Sequence, residues 1–232
     1  MVDECTDSQL AQVKLGWWRL EIGKLFQNEP SHPVMKAMQP FVGKFEIREK
    51  QLQEIIDGME MDLTQTRYLD FAALERYCYY VAGAVGLLAA GIFGYANPRT
   101  LDYAKNLGTA FQLTNIIRDV GEDARKNRIY LPMDELKRFG VPAADLLQAR
   151  YSGGFAELMK FQAARAGDYY RRAFDALPAE DRRAQRAGLI MASIYRATLA
   201  EIEQEGFKVL TQRTSLTPLR KLWLAWKTWI AA

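Results

Sequence analysis

The chain has 232 residues and a formal net charge of +3, from 31 Lys+Arg against 28 Asp+Glu, with 49% hydrophobic and 25% charged residues. Those proportions are those of a globular chain and exclude a disordered or collagen-like one. A near balance of charge without a long basic block also argues against a nucleic-acid binder.

The two cysteines, Cys5 and Cys78, make neither a CxxC pair nor a disulfide framework, which points to a reducing cytosol. The single histidine, His32, excludes a His-based zinc site and makes a Ser-His-Asp triad unattractive; beside Pro33 it reads as a surface turn residue.

In chain order, the segment MVDECTDSQL has no basic n-region and no apolar stretch, so it does not read as a secretory signal. Residues 7–26 form a long periodic stretch ended by the turn-like NEPSHP, and residues 34–59 read as two shorter helices. Residues 69–93 read as one long helix with Asp70 as its N-cap. The uncharged run 77–98 is long enough to span a bilayer, but its glycines and alanines keep its hydropathy modest, and a buried core helix is the preferred reading. Ala96-Asn97-Pro98 breaks the chain, and the next helix covers residues 99–123. A short helix from about 133 and another over 143–150 follow, the latter closed by Ser152-Gly153-Gly154. Long helices over 155–176 and 188–205 precede the tail LTPLRKLWLAWKTWIAA. No segment shows sustained period-2 alternation, and no linker or repeat divides the chain. One all-α domain over residues 1–232 is the expectation.

The segment GTAFQLTNIIRDVGEDARKNRIYLP carries the chemistry. At about 100° per residue, with Asn115 at zero, Glu122 falls near −20°, Asp119 near 40°, Gln112 near 60° and Asp123 near 80°. Leu113, Ile116, Ile117 and Val120 fall on the other side. Carboxylates this close repel one another along a helix unless a cation gathers them. Mg²⁺ takes oxygen ligands of this kind and shares them with substrate phosphates. Arg125, Lys126 and Arg128 follow directly and suit a polyphosphate, or else complement the helix C-terminal dipole. Asp3, Glu4 and Asp7 form a second acidic group, either a helix start or a further metal site. In YCYYVAGAVG, Ala82, Gly83, Gly86 and Ala90 form a stripe of small residues that permits close helix packing or leaves room for an apolar ligand; Tyr77, ahead of it, could move a proton.

YCYYVAGAVG followed by FQLTNIIRDVGEDARKNRIYLP resembles the squalene/phytoene synthase family of class I isoprenoid synthases, and the resemblance runs through essentially the whole chain. MEMDLTQTRYLDFAALERYC and GLIMASIYRATLAEIE are most similar to its bacterial branch that makes presqualene diphosphate for hopanoids. The resemblance implies an all-α bundle around a central apolar channel. It also implies head-to-head condensation of two farnesyl diphosphates, with Mg²⁺ (Mn²⁺ as the substitute) held by two Asp-rich motifs. Asn115, Asp119 and Asp123 match the second motif, and Gln112 matches a substrate position on the same face. Tyr77 matches a tyrosine implicated in proton transfer, and Tyr130 matches a site-lining one. Arg128, Tyr195 and Arg213 match diphosphate or pocket positions less closely, and Gly83 and Gly86 fall on the substrate side of the small-residue stripe.

The first motif of the family has the form DDxxDE. Val2-Asp3-Glu4 resembles its tail, so Asp3 is the expected remaining ligand and the chain reads as truncated before it. Two other functions stay open at this point: the same chemistry on geranylgeranyl diphosphate, giving phytoene, and a non-catalytic helical remnant. No GxGxxG follows a strand, so no nicotinamide cofactor is expected. Trp223, Trp226 and Trp229 recur with Arg220, Lys221 and Lys227, which suits either a packed closing helix or peripheral contact with the inner face of the membrane. The expected partners are prenyl diphosphates and downstream isoprenoid enzymes, without nucleic acid.

Overall fold

The computed structural model describes residues 7–231; of Ser8 only the backbone is described. Asp3 therefore lies outside the described residues, as do Glu4 and Cys5. The helices are α1 (Ser8–Phe26), α2 (Pro33–Lys44), α3 (Glu49–Thr64), α4 (Phe71–Cys78), α5 (Ala84–Phe93), α6 (Arg99–Arg125), α7 (Met133–Arg138), α8 (Ala143–Leu147), α9 (Gly153–Ala176), α10 (Arg186–Gln204) and α11 (Pro218–Ala231). Among the described residues there is no strand, and one isolated parallel bridge pairs Arg67 with Ile129. The all-α expectation holds.

The boundaries follow local chemistry. Asp7 caps α1 by accepting from the Gln9 N–H at 2.9 Å, and Asp70 caps α4 by accepting from the Ala73 N–H at 2.8 Å. His32 departs from the surface-turn reading. Its Nδ1 accepts from the Val34 N–H at 3.3 Å to cap α2, and its ring lies edge-on to Trp17 and Trp18. Ser152-Gly153-Gly154 also departs from expectation: it opens α9 instead of closing α8. The Ser152 Oγ accepts from the Phe155 N–H at 3.1 Å, and a Cβ on Gly154 would stand 2.3 Å from the Phe139 carbonyl oxygen.

The helix expected over 69–93 is interrupted. Between α4 and α5, residues Tyr79–Gly83 form a π-turn in which the Ala84 N–H donates to the Tyr79 carbonyl. Such a turn inserts one residue and rotates everything after it, and π-bulges are frequent at functional sites. By length and composition alone Phe71–Phe93 could cross a membrane. In the fold its π-turn and α5 pack on α6, and its side chains wall the cavities described below.

The 27-residue α6 is the axis of the larger core and carries fourteen buried residues. Its contact with the π-turn and α5 is backbone to backbone. A Cβ on Gly86 would stand 2.6 Å from the Ala104 carbonyl oxygen, and one on Gly108 2.5 Å from that of Ala82. These glycines cost helix stability, and close approach of the two helices is what they make room for. A second, smaller core of Leu15, Ile22, Leu25, Met35 and Ile56 joins α1, α2 and α3.

Candidate active site

Two cavities lie along the same side of α6. The outer one, about 410 Å³, is lined by Asp62 of α3, by Tyr77 of α4, by Gln112, Asn115, Arg118, Asp119 and Asp123 of α6, and by Lys126, Arg128 and Tyr130 just after it. The inner one, about 280 Å³, is lined almost wholly by apolar and small residues of the π-turn, α5, α6 and α10, including Val81, Gly86, Leu107, Phe111, Met191 and Tyr195. Val81, Val85, Gln112 and Asn115 border both. A charged mouth thus shares a wall with a chamber that has no charged side chain in its lining.

The predicted face is present: Gln112, Asn115, Asp119 and Asp123 all line the mouth. Glu122 does not. It is 41% exposed at the rim, paired with Lys126 at 3.4 Å. The wheel places it on this side, where Arg213 also approaches it at 3.6 Å.

The crowding of acids is relieved differently at each. Arg118 donates to Asp119 through Nε at 2.8 Å and through a second guanidinium nitrogen at 2.5 Å, and the Arg213 Nε donates to the same carboxylate at 2.8 Å. Burial alone would raise Asp119, but the hydrogen bonds and charges of Arg118 and Arg213 outweigh it and hold the carboxyl below its ordinary range. Asp123 lacks that relief. Burial first, then the charge of Asp119, push it up to about 7. Asn115 Oδ1 is buried without a hydrogen-bond partner, an arrangement that is expensive unless something outside the chain completes it.

The tyrosines stack behind this mouth. Tyr77 is only 3% exposed, and its ring lies 5.4 Å from Tyr68 and 5.2 Å from Tyr130. The Tyr130 hydroxyl donates to Asp62 Oδ1 at 2.9 Å. Burial, then the nearby Tyr130 and Asp62, raise the Tyr77 phenol far above its ordinary value, so at neutral pH it keeps its proton. The loop holding Tyr130 is fixed by backbone bonds to the segment after α3: Ile129 N–H to the Thr66 carbonyl and Met133 N–H to the Tyr68 carbonyl, both 2.9 Å. Asp62 escaped sequence reading because one acid near the end of an amphipathic helix looks like a solvated one. Arg118, beside Asp119, was likewise hidden by the acids around it.

The remaining expected residues divide. Arg128 lines the mouth, and one of its guanidinium nitrogens donates to the Asp62 carbonyl at 3.2 Å. Tyr195 lines the inner chamber with its ring 4.6 Å from Phe111, away from the charged end. Arg213 reaches Asp119 from the loop before α11. Gly121 admits that loop: its N–H donates to the Val209 carbonyl at 3.1 Å, and a Cβ there would stand 2.2 Å from the Leu210 carbonyl oxygen. Gly86 borders the chamber, but its bare face serves the helix contact. Gly83 lies outside the lining of both cavities and packs against Gly108, so the substrate role expected of it is replaced by a packing one.

Asn115, Asp119 and Asp123 form an all-oxygen donor set of the kind a hard divalent cation takes, with the orphaned Asn115 oxygen as one open position. Among the described residues no three Asp, Glu, His or Cys side chains gather closely enough to hold a metal ion by themselves.

Residues 1–220 match the family model described as squalene/phytoene synthase. The chain is 35% identical over 237 residues to the phytoene synthase of Arthrospira platensis, covering 95% of this chain and 77% of that one. It spans only 54% of a chloroplastic phytoene synthase of Zea mays that it also matches. Among solved structures, a dehydrosqualene synthase in complex with ligand superposes with a TM-score of 0.81 at 26% identity, covering 98% of this chain and 81% of that one. Squalene synthase HpnC from Alicyclobacillus acidocaldarius superposes with a TM-score of 0.75 at 25% identity, over 84% and 74% of the two chains. With a family model matched over nearly its whole length, the chain belongs to the squalene/phytoene synthase family.

Proposed function

We propose that the chain is a prenyltransferase that joins two farnesyl diphosphates head to head, giving presqualene diphosphate and releasing diphosphate. The observation that carries this reading is the shared wall at Gln112 and Asn115, where an oxygen- and cation-lined mouth adjoins an uncharged chamber. That is the shape demanded by a substrate with a diphosphate head and a hydrocarbon tail. Mg²⁺, with Mn²⁺ as substitute, is the expected ion on Asn115, Asp119 and Asp123. When bound, it would neutralise the charge that builds on the departing diphosphate. Asp3, outside the described residues, is the further ligand that the family resemblance implies.

The chain's own groups have distinct tasks. Lys126 and Arg128 face the mouth and can hold diphosphate oxygens. Breaking the C–O bond leaves an allylic cation, which the chamber of Val81, Leu107 and Phe111 keeps from water. The double bond of the second substrate attacks that cation, and a proton must leave to close the cyclopropane. Tyr77, protonated at neutral pH, can accept it only by passing its own proton on toward the neighbouring Tyr130, whose hydroxyl donates to Asp62.

A second reading is favoured by the 35% identity to a phytoene synthase: the same condensation on geranylgeranyl diphosphate. Incubation with fifteen- and twenty-carbon diphosphates, with products resolved by mass, separates the two. A chain that binds a prenyl diphosphate analogue without turning over either substrate would be a non-catalytic relative.

A further inference from the structure

The tail helix α11 has no buried residue. Leu219, Leu222, Trp223, Trp226, Trp229 and Ile230 are between 54% and 80% exposed. With Pro218 at zero and about 100° per residue, all six fall between about 20° and 140°, with Trp226 at the centre. The less exposed Leu224, Ala225 and Thr228 fall on the opposite side, where α11 packs on α10. The two helices run antiparallel: Arg220 pairs with Glu201 near the end of α10, and the Arg186 guanidinium at its start lies 4.3 Å from the Trp229 ring. An amphipathic helix normally buries its apolar face. This one turns its apolar face outward and uses its less apolar side for the protein.

The charged residues of α11 itself are all basic. No Asp or Glu follows Glu205, whereas Lys208, Arg213, Arg220, Lys221 and Lys227 do. Lys227 and Arg220 flank the apolar face on one edge by the same angular reckoning. Two copies meeting through this face would bring its basic edge residues together, with the neighbouring acid Glu201 already paired to Arg220. Anionic headgroups would pair them, and tryptophan is the side chain best suited to the level where headgroups meet acyl chains.

We infer that α11 is an interfacial anchor that lays Leu222, Trp223, Trp226 and Trp229 into an anionic bilayer surface. Its C-terminal end sits beside the first turn of α10, whose Gly188 and Met191 border the inner chamber, so docking would bring lipid near the apolar cavity. The inference does not rest on the catalytic reading.

The test uses the full chain with vesicles of phosphatidylcholine, alone or with about 30% phosphatidylglycerol. Expected are sedimentation with the anionic vesicles, weakened by high salt, and quenching of tryptophan emission by lipids brominated along the acyl chain. A Leu222→Glu/Trp226→Glu variant should bind these vesicles at least about tenfold more weakly, with unchanged circular dichroism and unchanged turnover of dispersed substrate. Trp226→Leu should lose less. Absence of vesicle binding, binding unaltered by the double substitution, or wild-type dimers that the substitution dissociates in the absence of lipid would each overturn the inference. Failure of turnover with vesicle binding intact would count against the catalytic reading alone.

Discussion

The two halves of the site are built on opposite terms. In the mouth, ionic groups crowd a partly open cavity and hold one another: Arg118 and Arg213 clamp Asp119, while Asp123 is left raised and Asn115 Oδ1 unpartnered. In the chamber nothing is charged, and the helices approach so closely at Gly86 and Gly108 that no side chain separates their backbones. One helix, α6, supplies both. A single rod thus presents a polar and an apolar surface side by side, the arrangement that the proposed ionisation would use.

Breaking the polar half should have the largest effect. Asp119→Ala or Asp123→Ala should lower kcat by about 10³-fold or more in prenyl coupling, with circular dichroism unchanged. Near-wild-type turnover after both changes would refute the metal assignment. Breaking the apolar half acts on folding instead. Gly86→Val drives a side chain into the Ala104 carbonyl and should cost about 2 kcal/mol or more, read by denaturant unfolding. Tyr77→Phe removes the hydroxyl while leaving the stack, and should lower kcat by about 10–100-fold with KM little changed. If only KM moved, Tyr77 would be a binding group.

The effect of pH sharpens the contrast between the two aspartates. Asp123 titrates at about 7 in the folded chain against an ordinary value of 3.8. Between those values the folded state holds a proton that the unfolded state lacks, so metal-free stability should fall as pH rises through that window. Mg²⁺ held there as proposed would displace the same proton, so its affinity should rise with pH up to about 7 and then level off. Asp123→Asn should flatten the stability trend and add roughly 1 kcal/mol at pH 8 after allowance for solvent screening. Asp119, held ionised by its arginines, contributes in the opposite sense, at lower pH. A stability profile unaltered by Asp123→Asn would contradict the assignment.

Much of this was legible in the residues. The 3.6-residue period of α6 and the spacing of Asn115, Asp119 and Asp123 gave both the helix and its polar face. Asp70 and the break at Ala96-Asn97-Pro98 marked real boundaries, and Tyr77, Tyr130 and Gln112 reached the mouth as expected. What stayed hidden depended on contacts distant in sequence. Asp62 joins the site through contacts such as that with Tyr130, 68 positions on, whose hydroxyl donates to it. Arg213 reaches Asp119 across 94 positions, through a loop that Gly121 admits. The π-turn at Tyr79–Gly83 leaves no periodic mark, because a single inserted residue is lost in a uniformly apolar run. Gly83 read as a substrate position because a glycine stripe looks the same whether it faces ligand or backbone.

The most direct test is calorimetric titration of the chain with a non-ionisable farnesyl diphosphate analogue, with and without Mg²⁺, in the wild type and in Asp119→Ala/Asp123→Ala. The account predicts binding that requires Mg²⁺ and is lost in the double variant. Binding of equal strength without the cation, or in the variant, would contradict it.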